Sequence, residues 1–244
     1  ERSQYRIGSI SKTFTATIIF KLEEAGKLSI SDKLSKYFPS MPNASKITLK
    51  QLLGHKSGLY NFTDSIDYYS YMSKPHSRDQ LLEIFKGNGA SFEPGTDTRY
   101  SNTNYALLAF IAEDVSNSTY KDLLYTYISE PLNLTRTEIG TTIKTIKNVA
   151  QLYEKSIDWL LSTQTDMSVP IGAGSIVSTP TELNYFFHAL FSGQLLNEES
   201  LKKMRTIEDG YGLGLFTFPF YDKTAYGHTG GIDGFNSMSG YFFK

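Results

Sequence analysis

Residues 4–29 read QYRIGSISKTFTATIIFKLEEAGKLS, and the rest of the chain is best understood from this stretch. From Ile10 to Ala25 the spacing predicts a helix. Gly26 closes it, because glycine most easily takes the left-handed conformation after a last turn. Ile10, Phe14, Ile18, Leu22 and Ala25 form one apolar stripe. Ala16, Ile19 and Phe20 widen it until the helix is apolar on most sides, the pattern of a centrally buried helix. Ser9 and Lys12 fall at its start, three residues apart and so on one face. Burial and the positive end of the helix dipole both disfavour a charged lysine there. A lysine depressed in this way can act as a base toward a serine hydroxyl. The Ser9 backbone N–H, among the unpaired amides of the first turn, can help hold an oxyanion. Taken alone, a serine three residues before a lysine is a weak signal. An ordinary helix cap beside a solvated lysine gives the same text.

Composition sets the outer bounds. The 244 residues, 40% hydrophobic, suffice for one core or for two lobes sharing a cleft. A net charge of −1 leaves no basic footprint for nucleic acid. No apolar run approaches the ~18 residues of a transmembrane span. With no cysteine, disulfides, thiol catalysis and thiolate metal sites are excluded. The four histidines, at 55, 76, 188 and 228, show no i,i+4 pair, so no metal site is expected; His55, His76 and His188 are taken as structural.

Further helices are expected at 78–87, 104–116, 120–132 and after Thr179. There Thr179 caps the helix, Pro180 takes its first position and Glu182 closes a capping box. Residues 140–169 resist placement. The segments YGLGLFTFPFY, TAYGHTGG and FNSMSGYFF, rich in aromatics, Gly and Thr, predict antiparallel strands. The expectation is one α+β unit over 1–244, mainly helical over 1–205 and strand-forming over 206–244, with no repeat or linker.

Two further short motifs follow the serine–lysine pair in order. Tyr100-Ser101-Asn102 stands after the Pro94-Gly95 turn, just ahead of a helix, and His228-Thr229-Gly230 stands on a predicted strand. Gly230-Gly231 is not a phosphate cradle, since no G-x-x-x-x-G-K accompanies it. With the flanking text YRIGSISKTFTA, LLGHKSGL, FEPGTDTRYSNTNYALL, GAGSIVSTPTEL, YGLGL and GHTGGIDGFNS, the chain resembles the class C β-lactamase-like serine hydrolases. That family includes D-alanyl-D-alanine carboxypeptidases, penicillin-recognising esterases and D-aminopeptidases.

The resemblance implies a serine β-lactamase/transpeptidase-like fold: an antiparallel sheet flanked by helices, a mostly helical lobe, and a site in the cleft between them. It implies that Ser9 attacks a carbonyl and that Lys12 helps deprotonate it. Tyr100 would share that proton and relay it to the leaving group; the choice between Lys12 and Tyr100 as base stays open. Asn102, His228, Thr229 and Gly230 would bind substrate, and the N–H of Gly231 would join that of Ser9 in an oxyanion hole. The implied reaction is acyl transfer to water from an amide or ester of a small molecule or peptide, with no cofactor. A non-turnover penicillin-binding sensor and a silent scaffold are the alternatives. A D-aminopeptidase would need an acidic group facing the substrate amine, and the sequence singles out none. The family also suggests a periplasmic or cell-envelope location.

The β-lactamases proper carry lysine where His228 stands. Recognition of a substrate carboxylate is therefore expected to weaken as pH rises through the ordinary histidine value, near 6.5. The family fold also places strands and a helix before the serine–lysine segment, whereas eight residues precede Ser9 here. The chain is thus expected to be part of a longer one.

Overall fold

The computed structural model describes residues 3–143, 149–155 and 157–243. In chain order its elements begin with β1 (Tyr5–Arg6), α1 (Ser11–Glu24), α2 (Leu49–Leu53), α3 (Tyr68–Tyr71), α4 (Arg78–Asn88) and α5 (Asn102–Ser116). Then come α6 (Tyr120–Leu124), β2 (Glu138–Ile139), β3 (Tyr153–Lys155), β4 (Trp159–Leu161) and β5 (Ile176–Ser178). The chain closes with α7 (Pro180–Phe191), α8 (Glu198–Arg205), β6 (Phe216–Phe220), β7 (Lys223–Ile232) and β8 (Phe235–Phe242).

The all-round apolar pattern of the first helix has the consequence expected of it. Eleven of the fourteen residues of α1 are buried, and Gly26 beyond its end takes φ +69°. Its buried threonines spend their hydroxyls on carbonyls: Thr13 on Gly214, Thr15 on Ser11 and Gly172, Thr17 on Thr13. α5 packs against α1 and is itself buried from Thr103 to Ala112. Phe14 of α1 stacks on Phe186 of α7 at 3.6 Å, and Phe191 of α7 stacks on Tyr241 of β8 at 5.2 Å. Helix α7 thus ties the central helix to the sheet.

That sheet is an antiparallel meander, β6-β7-β8, with β7 paired on both sides. The β7–β8 turn is Asp233-Gly234, both residues at positive φ (50° and 82°), as a two-residue hairpin turn that follows strand twist requires. A second, smaller sheet, β1-β5-β2, lies beside the segment leading to Ser9. Its strands have two or three residues, too few for alternation to show in sequence. Strands β1 to β5 all fall within 1–205, the part expected to be mainly helical, and add only short pieces to it.

Two local expectations also change. Thr179 does cap α7, accepting from the Glu182 N–H, but the Glu182 carboxylate does not close a capping box. It accepts instead from the Arg136 N–H and the Thr137 hydroxyl, bracing the approach to β2. The unplaced stretch 140–169 carries the β3–β4 hairpin, in which Trp159, Leu160 and Leu161 are all exposed. No helix among the described residues is long and apolar enough to cross a membrane.

Candidate active site

Ser9 sits in a 3₁₀ turn, Gly8–Ile10, that runs into α1. No side chain caps either element, so the Ser9 hydroxyl is not spent as a helix cap. The turn presses against β7. Gly8, at φ +50°, has no room for a side chain, since a Cβ would lie 2.9 Å from the Gly231 nitrogen. A Cβ on Gly230 would lie 2.0 Å from the Ile7 carbonyl oxygen. Ser237 of β8 donates to that same oxygen at 2.9 Å. Close packing of glycines thus brings Ser9 and Gly231 to the wall of one cleft.

Lys12 lies one turn along α1 with its side chain fully buried. Its Nζ is 3.0 Å from Ser9 Oγ, 2.6 Å from Asn102 Oδ1 and 2.7 Å from the Ala173 carbonyl oxygen. No carboxylate offsets the loss of water, and burial pushes its pKa well below the ordinary lysine value. As a neutral amine, Lys12 would donate its two N–H bonds to the two carbonyl oxygens and turn its lone pair toward the Ser9 hydroxyl.

Tyr100 closes the arrangement from the other side, its hydroxyl 2.6 Å from Ser9 Oγ. Burial raises the phenol far above its ordinary value, so it stays protonated and donates to Ser9. With Lys12 lowered and Tyr100 raised, the better acceptor for the Ser9 proton is Lys12. Asn102 opens α5 and is fixed at three points. Its Oδ1 accepts from Lys12, its Nδ2 donates to Thr63 Oγ1 at 3.0 Å, and its backbone N–H donates to Asn61 Oδ1 at 2.9 Å. Those bonds fix the Asn102 amide against Lys12 at the edge of the cleft.

The β7 residues depart further from expectation. His228 is 2% exposed and packs against Phe216 and Tyr100, with ring centroids 4.8 and 6.4 Å away. Its Nδ1 donates to the Thr229 carbonyl at 2.5 Å, which leaves the lone pair on Nε2. Burial, and next the charge of Lys12, lower its pKa from 6.5 to about 3. Held neutral at physiological pH, His228 would not serve as the carboxylate reader titrating near 6.5 that was expected. Thr229 is exposed and Gly230 buried, and neither lines the cleft; Gly231, Ile232 and Asp233 do.

The cleft itself measures about 440 Å³, the size of a small-molecule site. Ser9, Asn102 and Gly231 share it with Phe62, Tyr68, Tyr69 and Met72, which form an apolar side. Asp233, which also lines the cleft, belongs to a buried ion pair. The Arg6 guanidinium pairs with Asp233 and also donates to the Thr165 and Thr141 carbonyls. Thr165 donates to Asp233 through its hydroxyl at 2.6 Å and its N–H at 3.1 Å. Asp-Gly is a legible turn signal, but nothing in sequence links that turn to Arg6. Other contributors are the Ala173 carbonyl, where residue type carries no information, and Asn61 and Thr63, which open and occupy the short 3₁₀ turn Phe62–Asp64.

A family model described as Beta-lactamase matches residues 1–242. The chain belongs to this family. It is 30% identical over 242 residues to the putative penicillin-binding protein PbpX of Bacillus subtilis (strain 168), covering 98% of this chain and 59% of that protein. It is 29% identical over 240 residues to the teichoic acid D-alanine hydrolase of Staphylococcus aureus (strain NCTC 8325 / PS 47), covering 94% of this chain and 58% of that one. The chain thus spans under two thirds of the length of these curated relatives. The D-stereospecific amidohydrolase from a Streptomyces species superposes with a TM-score of 0.90 at 29% identity, covering 99% of this chain and 79% of that one. The fold is that of the serine β-lactamase and penicillin-binding proteins, α+β with an antiparallel sheet, flanking helices and a mostly helical lobe.

Proposed function

We propose that the protein is a serine hydrolase that cleaves amide or ester bonds through an acyl-enzyme on Ser9, with D-amino acyl compounds as the favoured substrate class. The observation that carries this reading is the placement of Ser9 Oγ between Lys12 Nζ at 3.0 Å and the Tyr100 hydroxyl at 2.6 Å. In the proposed reaction, Ser9 Oγ bonds to the substrate carbonyl carbon as its proton passes to the neutral Lys12 amine. The oxyanion that forms is met by the N–H groups of Ser9 and Gly231. As the carbon–leaving-group bond breaks, Tyr100 gives its proton to the departing nitrogen or oxygen and takes one back from Lys12. Water then attacks the ester by the same path, losing a proton to the Lys12–Tyr100 pair and freeing Ser9.

The narrower choice of substrate rests on charge. Among the described residues lining the cleft there is no free cation. Arg6 is bound to Asp233, Lys12 is engaged beneath Ser9, and His228 is neutral. A substrate with a terminal carboxylate, such as a D-alanyl-D-alanine peptide or a β-lactam, finds no dependable partner. An amide or ester of an amino acid needs none, and two of the similar proteins act on D-configured compounds by their names.

The test is a turnover panel of D-alaninamide, L-alaninamide, a D-alanyl-D-alanine peptide, p-nitrophenyl acetate and a chromogenic cephalosporin. D-alaninamide should outrun its L-isomer, and the ester should outrun the cephalosporin. A cephalosporin turned over faster than every amide and ester would overturn the substrate assignment. The likeness to a penicillin-binding protein favours a second reading, a non-turnover sensor. A fluorescent penicillin that labels Ser9 stoichiometrically and stays bound, with no turnover of the panel, would select it.

A further inference from the structure

His55 does more than fill space behind the cleft. It takes φ +60°, a left-handed conformation that few residues other than glycine adopt and that concentrates at functional sites. From that conformation it meets three successive residues. Its carbonyl accepts from the Arg99 N–H at 3.0 Å, and its Nδ1 accepts from the Ser101 N–H at 3.2 Å. Its ring lies against that of Tyr100, between those two, with centroids 4.6 Å apart and planes tilted by 32°. The other sides of the imidazole are backed by Tyr105 at 5.3 Å and Tyr211 at 5.2 Å. Tyr105 is itself pinned by a 2.7 Å bond to the Leu53 carbonyl. The imidazole is thus held rigidly, and it holds the backbone on either side of Tyr100.

The phenol's own hydrogen bond goes to Ser9. Its aim must therefore come from the ring and the backbone that carry it, and those are the parts His55 grips. A shift of more than about half an ångström there carries the 2.6 Å contact outside the ordinary O–H···O range.

We propose that His55 is a positioning residue. Its left-handed backbone, its Nδ1 and its ring together keep the Tyr100 hydroxyl at bonding distance from Ser9, and so set how readily Tyr100 delivers a proton to a leaving group. The proposal rests on the reading of Tyr100 as the proton relay, and the experiment separates the two. It compares kcat/KM, which reports acylation, for two esters with the same acyl group. The p-nitrophenolate of p-nitrophenyl acetate leaves as a stable anion. The phenolate of phenyl acetate is more basic and depends more on a donated proton.

His55→Gly accommodates the positive φ while removing both side-chain contacts. It should lower kcat/KM for phenyl acetate by ~10- to ~100-fold, a portion of the ~10²–10⁴ that a placed acid–base group contributes. The loss for p-nitrophenyl acetate should be clearly smaller. His55→Asn, which tolerates the same φ and keeps an acceptor near Ser101, should restore part of the rate. In a Tyr100→Phe background, His55→Gly should cost nothing further. Fluorophosphonate labelling of Ser9 in each variant verifies that the cleft is folded. Equal losses on both esters, or an undiminished loss in the Tyr100→Phe background, would reduce His55 to general support of the fold. A harmful Tyr100→Phe beside a harmless His55→Gly would overturn the positioning role alone. A harmless Tyr100→Phe would remove the relay and the positioning role with it.

Discussion

The start of α1 and the middle of β7 each bring one basic side chain to the cleft, and the same physics treats them differently. Lys12 and His228 are both almost wholly buried, and desolvation lowers both. Lysine begins high, at 10.5, so lowering brings its amine within reach of neutrality, where it can accept a proton. Histidine begins at 6.5, and lowering it to about 3 takes it out of proton chemistry near neutral pH. Their partners fit those fates. Lys12 faces three oxygens, two of them carbonyls that can only accept, while His228 spends its one N–H on the adjacent carbonyl. Burial thus favours a proton acceptor on one wall and a neutral ring on the other.

The largest effect should come from Ser9→Ala on the α1 side. Turnover should fall by ~10⁶-fold, the scale on which losing an acyl-transfer nucleophile is felt. Covalent labelling by a fluorophosphonate should vanish while the melting temperature holds. Persistent labelling at another serine would break the comparison at its root. Next comes Tyr100→Phe, expected to slow acylation of an amide by ~10²-fold or more. The ring and its packing on His55 survive that change, so thermal stability should move little. Near-normal amide turnover would mean that the phenol only shapes the cleft.

Much of the α1 wall was legible in sequence because its determinants are local. A stripe of Ile10, Phe14, Ile18 and Leu22 reports burial, and the i,i+3 spacing places Ser9 and Lys12 together. Tyr100 and Asn102 came from motif order, since no local pattern joins residue 9 to residue 100. The β7 wall was legible as a strand, while its chemistry was not. The titration of His228 depends on Phe216, Tyr100 and Lys12, which the fold alone brings near. Arg6–Asp233 and His55–Tyr100 were missed for the same reason: each joins residues 45 or more positions apart, and neither leaves a periodicity.

A neutral His228 also makes a kinetic prediction. Between about pH 5 and 8, where an ordinary histidine would titrate, a cephalosporin and a neutral ester should show kcat/KM profiles of the same shape, because the group that would tell them apart does not ionise. Whatever slope the lowered Lys12 ammonium contributes is common to both substrates and leaves the two shapes alike. A cephalosporin profile that alone falls with pH would restore His228 as a carboxylate reader.

The smallest effect concerns stability, and its sign follows from linkage. In the unfolded chain His228 takes up a proton as pH falls below about 6.5; in the folded protein it resists doing so until about 3. Over that window the unfolded state binds more protons, so stability falls as pH falls, and the full contribution of a neutral His228 is present only above the unfolded value. His55, also held well below 6.5, adds a slope of the same sign. His228→Gln removes one of the two titrations while keeping a polar side chain able to bond the Thr229 carbonyl. Urea midpoints measured near pH 7 and near pH 5 should therefore lie closer together in the variant than in the parent, with the remaining slope left to His55 and the carboxylates. If the two proteins lose the same stability on acidification, His228 is not held neutral by the fold. The contrast between the two walls of the cleft would then rest on position alone.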